Sequence, residues 1–568
     1  MGVPRLAPWI FTNFKNSKNV LKAPSHGAST TGGTTAFATK NVDYLYIDAN
    51  AILHSAAQQI FNYGEKKMAE ELYMLHRIDF KTKINMVYEA FWDNILELTQ
   101  VCGPKKFLYI AIDGTAPVAK QVQQRQRRFV AARESLKSGG NTAVQSGGVF
   151  NSNCISPGTE FMDDLSKFIS QKTEEYVTQN KKIAVIFSPP TDPGEGEHKI
   201  MNFIRKRMDD DEVFSQSSHC IYSPDGDLIM LCLTTYLDNI FLLRNSNEPR
   251  SYDFINMSFV QKNLCRFCYA SNIMSRNKHD VVNDFVFAGF FVGNDFLPKV
   301  QMFYTLEEGL QSMIDVCKTI SQKNKFLTSS GKINQSSLVQ FVSIVGGNEI
   351  QHLRFQASVK NRDGKFDDEM CRRHFANIPP GAHIPLGFLE TAYEAYADEY
   401  YTSRFPAGVS RNEICKEYLK SLIWVFIYYT QGLPSWRFYY KYSYAPLMKD
   451  FGNYLTSLEA FRILSSENVF DMGKPCHPYV QLLCILPSTS KNLLPEEYRD
   501  LIEESDLDFK IDYAGKTKEH FGVALIEHAN VDKAEKKFME RTKRKLERGY
   551  PMLYFWDDGV QTMELEYE

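Results

Sequence analysis

Seven acidic residues fall at or near places where apolar runs stop: Asp48, Asp113, Glu195, Glu197, Asp225, Asp227 and Asp295. Most sit in the runs YLYID, FLYIAID, HCIYSPDGD and FFVGND, and PGEGEHKI carries the glutamates. A single carboxylate at a strand end is ordinary, whereas seven converging ones repel each other strongly and are neutralised by cations. The spacing therefore predicts a divalent-metal site assembled from several element ends. All-oxygen donors suit Mg²⁺, with Mn²⁺ able to substitute, and two ions roughly 3.5–4 Å apart serve phosphodiester hydrolysis. Each motif alone is weak, since acids commonly cap helices and many loops contain Asp-Gly-Asp. Their number carries the reading.

A helix is predicted over Pro117–Leu136, just past Asp113. Lys120, Gln124, Arg127 and Arg128 lie at i, i+4, i+7 and i+8 and share one face, with Val118, Val122, Phe129 and Leu136 as the buried stripe. A focused cationic face beside metal-ligand candidates suits an anionic phosphate. The block Trp424–Tyr444 is richer in aromatics than a core needs near Gly432–Trp436, where a turn should expose Trp436 for stacking on a base. Lys533–Arg548 is basic but interleaved with Glu535, Glu540 and Glu547, so it reads as a solvated helix or an RNA-facing one.

The elements that must hold these groups alternate. Strands are expected at Tyr44–Asp48, Phe107–Asp113, Ile183–Ser188, His219–Tyr222 and Ile240–Leu243, with helical stretches such as Phe80–Val101, Phe161–Val177, His198–Arg207 and Phe285–Val292. This is an α/β pattern: a mostly parallel central sheet flanked by helices, with ligands gathering beyond the strands' carboxyl ends. Ser17–Lys40 and Ser138–Asn153 are Gly/Ser/Thr/Asn-rich and read as loop insertions. Residues 1–323 form the expected acidic core, 324–380 an irregular linker, and 381–568 a mainly helical second region.

Composition narrows the class. With 43% hydrophobic and 23% charged residues, 568 residues can bury a large core, and the length allows about four domains. The formal charge of −3 means that any nucleic-acid surface must be local. Eleven scattered cysteines without a secretory signal suit a reducing cytoplasmic or nuclear compartment. Cys265 and Cys268 lack a second CxxC pair and are expected to be core thiols. No apolar run reaches the roughly 18 residues of a membrane span.

The ordered motifs resemble the 5′→3′ exoribonuclease family of the Xrn type. The residues that carry the resemblance are MGVP, YIDANAILH, AIDGTAPVAKQVQQRQRRF, NCISPGTEFM, PGEGEHKIMNFIR, HCIYSPDGDLIML, DFVFAGFFVGNDFLP, WVFIYYTQGLPSWRFYYKYSYAP and QLLCILPSTSKNLLPEEY. The resemblance implies a PIN/5′-nuclease-like core with a helical region packed against it. It implies processive, two-metal hydrolysis of 5′-monophosphorylated single-stranded RNA to nucleoside 5′-monophosphates, by a monomer with no membrane attachment. The seven acids are then the metal-binding and catalytic set, and Lys120, Gln124, Arg127 and Arg128 the 5′-phosphate pocket. His54 and Trp436 match the positions that stack on bases. YIDANA and SPDGD depart from the family's Asp-Met-Asn-Gly and Leu-Asp-Ala-Asp but keep their acids. The chain ends near the close of the family core, which implies a compact member without C-terminal extension domains, suited to a viral or protist form. Competing readings are a structure-specific 5′ flap nuclease on DNA and a catalytically weak RNA-binding protein on the same scaffold. A flap nuclease needs a Gly-rich hairpin after its last metal Asp, whereas FLPKVQMFYTLEE follows Asp295.

Overall fold

Buried apolar runs build one sheet, and the acids hang from its ends. The structure, a computed structural model, describes residues 6–23, 40–69, 73–137, 150–268, 278–301, 303, 306–322, 325–359, 364–503, 507–516, 518–547 and 563–565. The chain forms two compact units. One comprises Lys15–Phe259, Lys474–Asp508 and Ala529–Glu568; the other comprises Met1–Phe14, Val260–Gly473 and Phe509–His528.

The first unit contains β1 (Lys18–Lys22), β2 (Tyr44–Asp48), β3 (Phe107–Ala111), β4 (Ala184–Ser188), β5 (His219–Tyr222), β6 (Ile240–Asn245) and β7 (Ser251–Asn256). They assemble in the order β1-β7-β6-β5-β2-β3-β4, and Met563–Leu565 adds an eighth strand beside β4. The pairings β6–β5–β2–β3–β4 are parallel, and the outer ones are antiparallel. Such a centre must be covered on both sides, and its strands alternate between two apolar faces. Leu45, Ile47, Leu108 and Ile110 join a core with Val87, Phe91, Ile95 and Ile169 from the helices Phe80–Cys102 and Glu160–Gln179. On the opposite face Tyr46, Phe107 and Tyr109 meet Phe203, which stacks on Phe107 at 5.1 Å.

The chain runs from β2 outward through β3 and β4, then returns to β5 on the other side of β2. The point where strand order reverses thus lies between the carboxyl ends of β2 and β5. There the flanking connections diverge and leave a crevice. Asp48 closes β2, and the run Ser223–Asp227 leaves β5 at the same level.

The loops leaving β3 and β4 are zipped together. Gly114 N–H donates to the Gly194 carbonyl at 2.8 Å, and Gly194 N–H donates to the Thr115 carbonyl at 2.8 Å. A Cβ on Gly114 would lie 1.7 Å from the Asp192 carbonyl oxygen, so the approach requires glycine. Gly194 has φ of +111°, again a glycine conformation.

Several expectations need correction. Part of the expected loop Ser17–Lys40 forms β1, an edge strand in which only Leu21 is buried; a five-residue, mostly exposed strand leaves little apolar signal. The remainder of that segment (24–39), and 138–149 of the second insertion, lie outside the described residues. The stretch 324–380 is not simply irregular: it carries the helices Gln335–Gly347, Glu349–Ser358 and Glu369–Phe375. The Asn334 and Asp368 side chains cap the first and third of these by accepting the Ser337 and Cys371 N–H groups. The division of the chain also differs from the expected one, because Lys474–Asp508 and Ala529–Glu568 fold with the sheet. Contacts within the first unit show why. Arg125 donates to the Cys484 carbonyl at 2.7 Å, and the Gln481 side chain accepts the Ala116 N–H at 2.8 Å.

The second unit is mainly helical among its described residues. Trp9, on the helix Leu6–Asn13, packs against Phe14, Phe267 and Phe285. The expected helix at Phe285–Val292 is the end of a longer one, Lys278–Gly289, followed by a 3₁₀ turn, Phe290–Val292. The cysteines are free thiols; Cys268 is buried and Cys265 half-buried. No described helix is long and apolar enough to cross a membrane.

The loop zipper sets a stability test. Gly114→Ala is expected to cost about 3 kcal/mol through overpacking against backbone. Gly226→Ala, where nothing lies within 4 Å, should stay within about 0.5 kcal/mol of wild type. Urea unfolding of both variants measures the difference.

Candidate metal centre and phosphate pocket

Each acid is aimed by a separate local device. Asp113 follows β3 and is clamped by Asn50, whose Nδ2 donates to Asp113 Oδ2 at 2.6 Å and whose Oδ1 accepts the Asp113 N–H at 3.1 Å. Its other oxygen, Oδ1, accepts the Gly196 N–H at 2.6 Å. Glu195 is the N-cap residue and Glu197 lies in the first turn of the helix Gly196–Asp210, so the predicted start at His198 is two residues late. Asp227 opens the short helix Asp227–Leu233. Both helix N-termini bring partial positive charge to the acids.

The structure brings six of the seven acids together. One carboxylate oxygen each from Asp48, Glu197 and Asp225 lie within 4.8 Å of one another, as do ligand atoms of Glu195, Glu197 and His198. Asp113 and Glu195 both act electrostatically on Asp48, and Asp227 acts on Glu197. Asp48, Glu195, Glu197 and Asp227 are buried, Asp113 is half-buried, and Asp225 is exposed. Asp295 belongs to the second unit. It follows Gly293 (φ +93°) in a turn where the Asn294 side chain accepts the Phe296 and Leu297 N–H groups, each at 2.9 Å.

Burial and crowding raise the proton affinity of Asp48, Glu197 and Asp113. Burial, then the Asp113 and Asp225 charges, push the Asp48 carboxyl well above its ordinary range, against a hydrogen bond from Ser223. Burial, then Asp227 and Glu195, do the same to Glu197. Asp113 is raised to about 6 by burial and Glu195, with Gly196 N–H, Lys120 and Lys199 opposing. An oxygen-rich, mutually repelling set of this kind fits a hard divalent cation. Gly196 supports that fit, because a Cβ there would meet Asp48 Oδ1 at 2.8 Å and Asp113 Oδ1 at 3.3 Å. The helix start can approach the acids only without a side chain.

The basic helix spans Val118–Lys137. Lys120 Nζ sits 2.6 Å from Glu195 Oε2, so this cation already touches the acidic set. Arg127 is exposed, and Arg128 is half-buried with Nη1 3.4 Å from both the carbonyl and Oδ1 of Asn153. Burial lowers the Arg128 guanidinium to about 10, which leaves it charged at neutral pH. Gln124 is half-buried on the same helix. His54, on the helix Asn50–Phe61, is held down to about 4 by burial, then by Arg128 and Arg127, with Asp225 opposing. It therefore lies within electrostatic reach of both the arginines and the acids. The predicted apolar stripe holds at Val118 and Phe129, but Val122 is only half-buried and Leu136 is 50% exposed. The last turn of the helix is largely uncovered. Trp436, in the second unit, is half-buried, and its N–H donates to the Met472 carbonyl at 2.8 Å.

Several positioning groups have little sequence signal. Lys199 is buried, and its Nζ joins the carbonyls of Ile112 and Pro189 at 2.7 and 2.8 Å. Gln121 donates to the Ala116 carbonyl at 2.8 Å, so Gln121 and Gln481 grip the loop after Asp113 from two sides. Gln121 lies on a polar helix and reads from sequence as solvated, whereas Gln481 lies in the apolar helix Pro478–Ile485. Ser223 is a small polar residue that any turn could contain, whereas Asn50 is retained from the family's Asp-Met-Asn-Gly run and opens the helix Asn50–Phe61.

Two family models match the chain: the XRN 5′-3′ exonuclease N-terminus over residues 1–246 and the Xrn1 helical domain over 276–377 and 391–548. Among curated proteins, 5′-3′ exoribonuclease 1 of Homo sapiens is 26% identical over 93% of this chain and 33% of its own length. The 5′-3′ exoribonuclease 2 homolog of Drosophila melanogaster is 28% identical over 85% of this chain and 64% of its own. 5′-3′ exoribonuclease 2 of Gallus gallus is 26% identical over 93% of this chain and 68% of its own. The chain thus spans about a third to two thirds of these relatives. The solved catalytic core of Rad2 in complex with DNA substrate aligns at a TM-score of 0.28 and 12% identity, covering 76% of this chain and 95% of its own.

The raised carboxyls predict a pH-dependent response to metal. A carboxyl raised from near 4 to about 6 favours folding while protonated; that contribution is complete below about 4 and is lost as pH rises through about 6. Metal-free protein should therefore gain more thermal stability from Mn²⁺ at pH 7.5 than at pH 5, where bound protons compete. Differential scanning fluorimetry with and without EDTA measures it. Equal Mn²⁺ shifts at both pH values would count against the buried acids as ligands.

Proposed function

We propose a 5′→3′ exoribonuclease activity for this chain, which belongs to the XRN 5′-3′ exonuclease family. One observation carries the reading: within a single compact unit, the crowded carboxylates adjoin the basic helix through Lys120 and Glu195. Asp48, Asp113, Glu195, Glu197, Asp225 and Asp227 would hold two divalent ions. Mg²⁺, or Mn²⁺ in its place, supplies a neutralising charge and a more acidic attacking water when bound.

The remaining steps belong to the chain's own residues. Gln124, Arg127 and Arg128 bind the 5′-monophosphate of a single-stranded RNA, with Lys120 linking this pocket to the acids. His54, neutral at pH 7, offers an uncharged ring to the terminal base. Water's oxygen bonds to the phosphorus after the first nucleotide as the P–O3′ bond breaks, and the departing 3′ oxygen takes a proton. The products are a nucleoside 5′-monophosphate and an RNA one residue shorter. The new terminus again carries a 5′-monophosphate and fits the same pocket, which supports processive turnover. On this reading the protein acts as a monomer in the cytoplasm or nucleus.

Purified protein should degrade 5′-monophosphorylated RNA with Mg²⁺ or Mn²⁺, and Asp225→Ala should abolish turnover. Intact RNA under both metals would sink the catalytic reading, and equal rates on matched DNA would sink the preference for RNA. A substrate ending in 5′-hydroxyl should react at least about tenfold more slowly, the loss of one charge-assisted contact, and a 5′-triphosphate should react more slowly because a pocket sized for one phosphate excludes its bulk. Arg128→Ala should raise KM for the 5′-monophosphate substrate and narrow that difference. Equal wild-type rates on all three termini would remove Lys120, Gln124, Arg127 and Arg128 from the pocket.

A further inference from the structure

At the reversal of strand order, one hydroxyl joins the two acid-bearing strand ends. Ser223 is fully buried. Its Oγ donates to Asp48 Oδ2 at 2.9 Å and accepts the Asp225 N–H at 3.2 Å. Its own N–H donates to the Leu243 carbonyl on β6 at 3.2 Å, which anchors the residue in the sheet. A serine hydroxyl has one proton, and here that proton is directed at Asp48, while a lone pair receives the backbone of Asp225. The other Asp48 oxygen lies against Gly196, where even a Cβ would approach to 2.8 Å. Ser223 and Gly196 thus restrain Asp48 from opposite sides. Without the hydroxyl, the turn Pro224–Gly226 loses its tie to β2. That turn carries the exposed Asp225, whose position relative to Asp48 and Glu197 defines the three-carboxylate group.

We propose that Ser223 is a positioning residue of the metal centre: it registers the Asp225 turn on Asp48 so that the two carboxylates bind a divalent cation together. The inference rests on the metal reading of the acids given above. Groups that hold ligating side chains in place typically change metal affinity by about 10-fold to 100-fold when removed. Ser223→Ala removes one oxygen from a site already shaped for the β-carbon, so the fold should persist. Ser223→Thr keeps the hydroxyl and serves as the rescue.

The test is Mn²⁺ binding by isothermal titration calorimetry on the full chain, together with the Mn²⁺ dependence of RNA hydrolysis. Ser223→Ala should weaken Mn²⁺ binding at least about tenfold. The Mn²⁺ concentration for half-maximal rate should rise in parallel, with the rate at saturating Mn²⁺ within about twofold of wild type. Far-UV circular dichroism and the metal-free Tm should be unchanged, and Ser223→Thr should restore affinity. Wild-type binding matched by Ser223→Ala overturns this inference alone. A wild type that binds no Mn²⁺ overturns the metal reading and this inference with it. Weakened binding that Ser223→Thr does not restore, accompanied by a lowered metal-free Tm, assigns Ser223 to packing and also overturns the inference.

Discussion

Repulsion among buried carboxylates is the constraint around which the sheet-bearing unit is organised. Flexible side chains would relieve it by turning apart or by taking up protons. Here they cannot turn apart freely, because each acid is fixed by a strand end, a helix start or a hydrogen bond. Asn50 holds Asp113, Ser223 holds Asp48, and the helix beginning at Gly196 holds Glu195 and Glu197. The raised proton affinity of Asp48, Asp113 and Glu197 is the energetic trace of that confinement. A site strained in this way would bind a cation without first paying to gather its ligands.

The positive groups nearby divide into two kinds. Lys120 and Lys199 are partners of the acidic set: one pairs with Glu195, and the other ties the loops carrying Asp113 and Asp192 through backbone carbonyls. Arg127 and Arg128 lie farther along the same helix as Lys120, toward Asn153 and His54. Lysine at the acids and arginine in the proposed phosphate pocket would each suit their partner. A compact ammonium neutralises one carboxylate, whereas a planar guanidinium offers several donors to a phosphate. The same helix is anchored by Arg125, which bonds the Cys484 carbonyl and lies over Phe129 at 4.1 Å. Its basic composition therefore serves packing as well as binding, and charge counting alone cannot separate the two.

Elements with a strong apolar contrast were legible in the sequence. Tyr44–Asp48 and His219–Tyr222 are strands at the expected bounds, because each is a fully apolar run ended by a charge or a turn. The acids were legible for the same reason. Ser223, Lys199, Gln121 and Gln481 were not, since the partners that define their roles include Asp48, Ile112, Cys476 and Ala116, which lie 175, 87, 355 and 365 residues away. The edge strand β1 and the capped helices of 324–380 were missed for another reason. Their stability comes from a neighbouring strand or from an Asn or Asp cap, and a cap looks like loop composition until its N–H partners are known. Leu136 shows the converse error, as helical periodicity continued past the surface that could cover it.

The departures around the acids acquire a physical meaning from the same contacts. A loop that keeps Asp225 and Asp227 but changes its other residues needs new contacts to hold the site. Gly226 does remove one restraint, the limit a side chain sets on its own backbone, although a Cβ there would meet nothing within 4 Å. Ser223 adds another, because its hydroxyl bonds both Asp48 and the backbone of Asp225. Freedom at one position of the turn is thus offset by a tie two residues before the first acid. The tie is made at the boundary between β2 and β5, where a small displacement would separate Asp48 from Asp225. Preserving the acids is insufficient at such a boundary; the geometry also needs a group that holds the two strand ends in register.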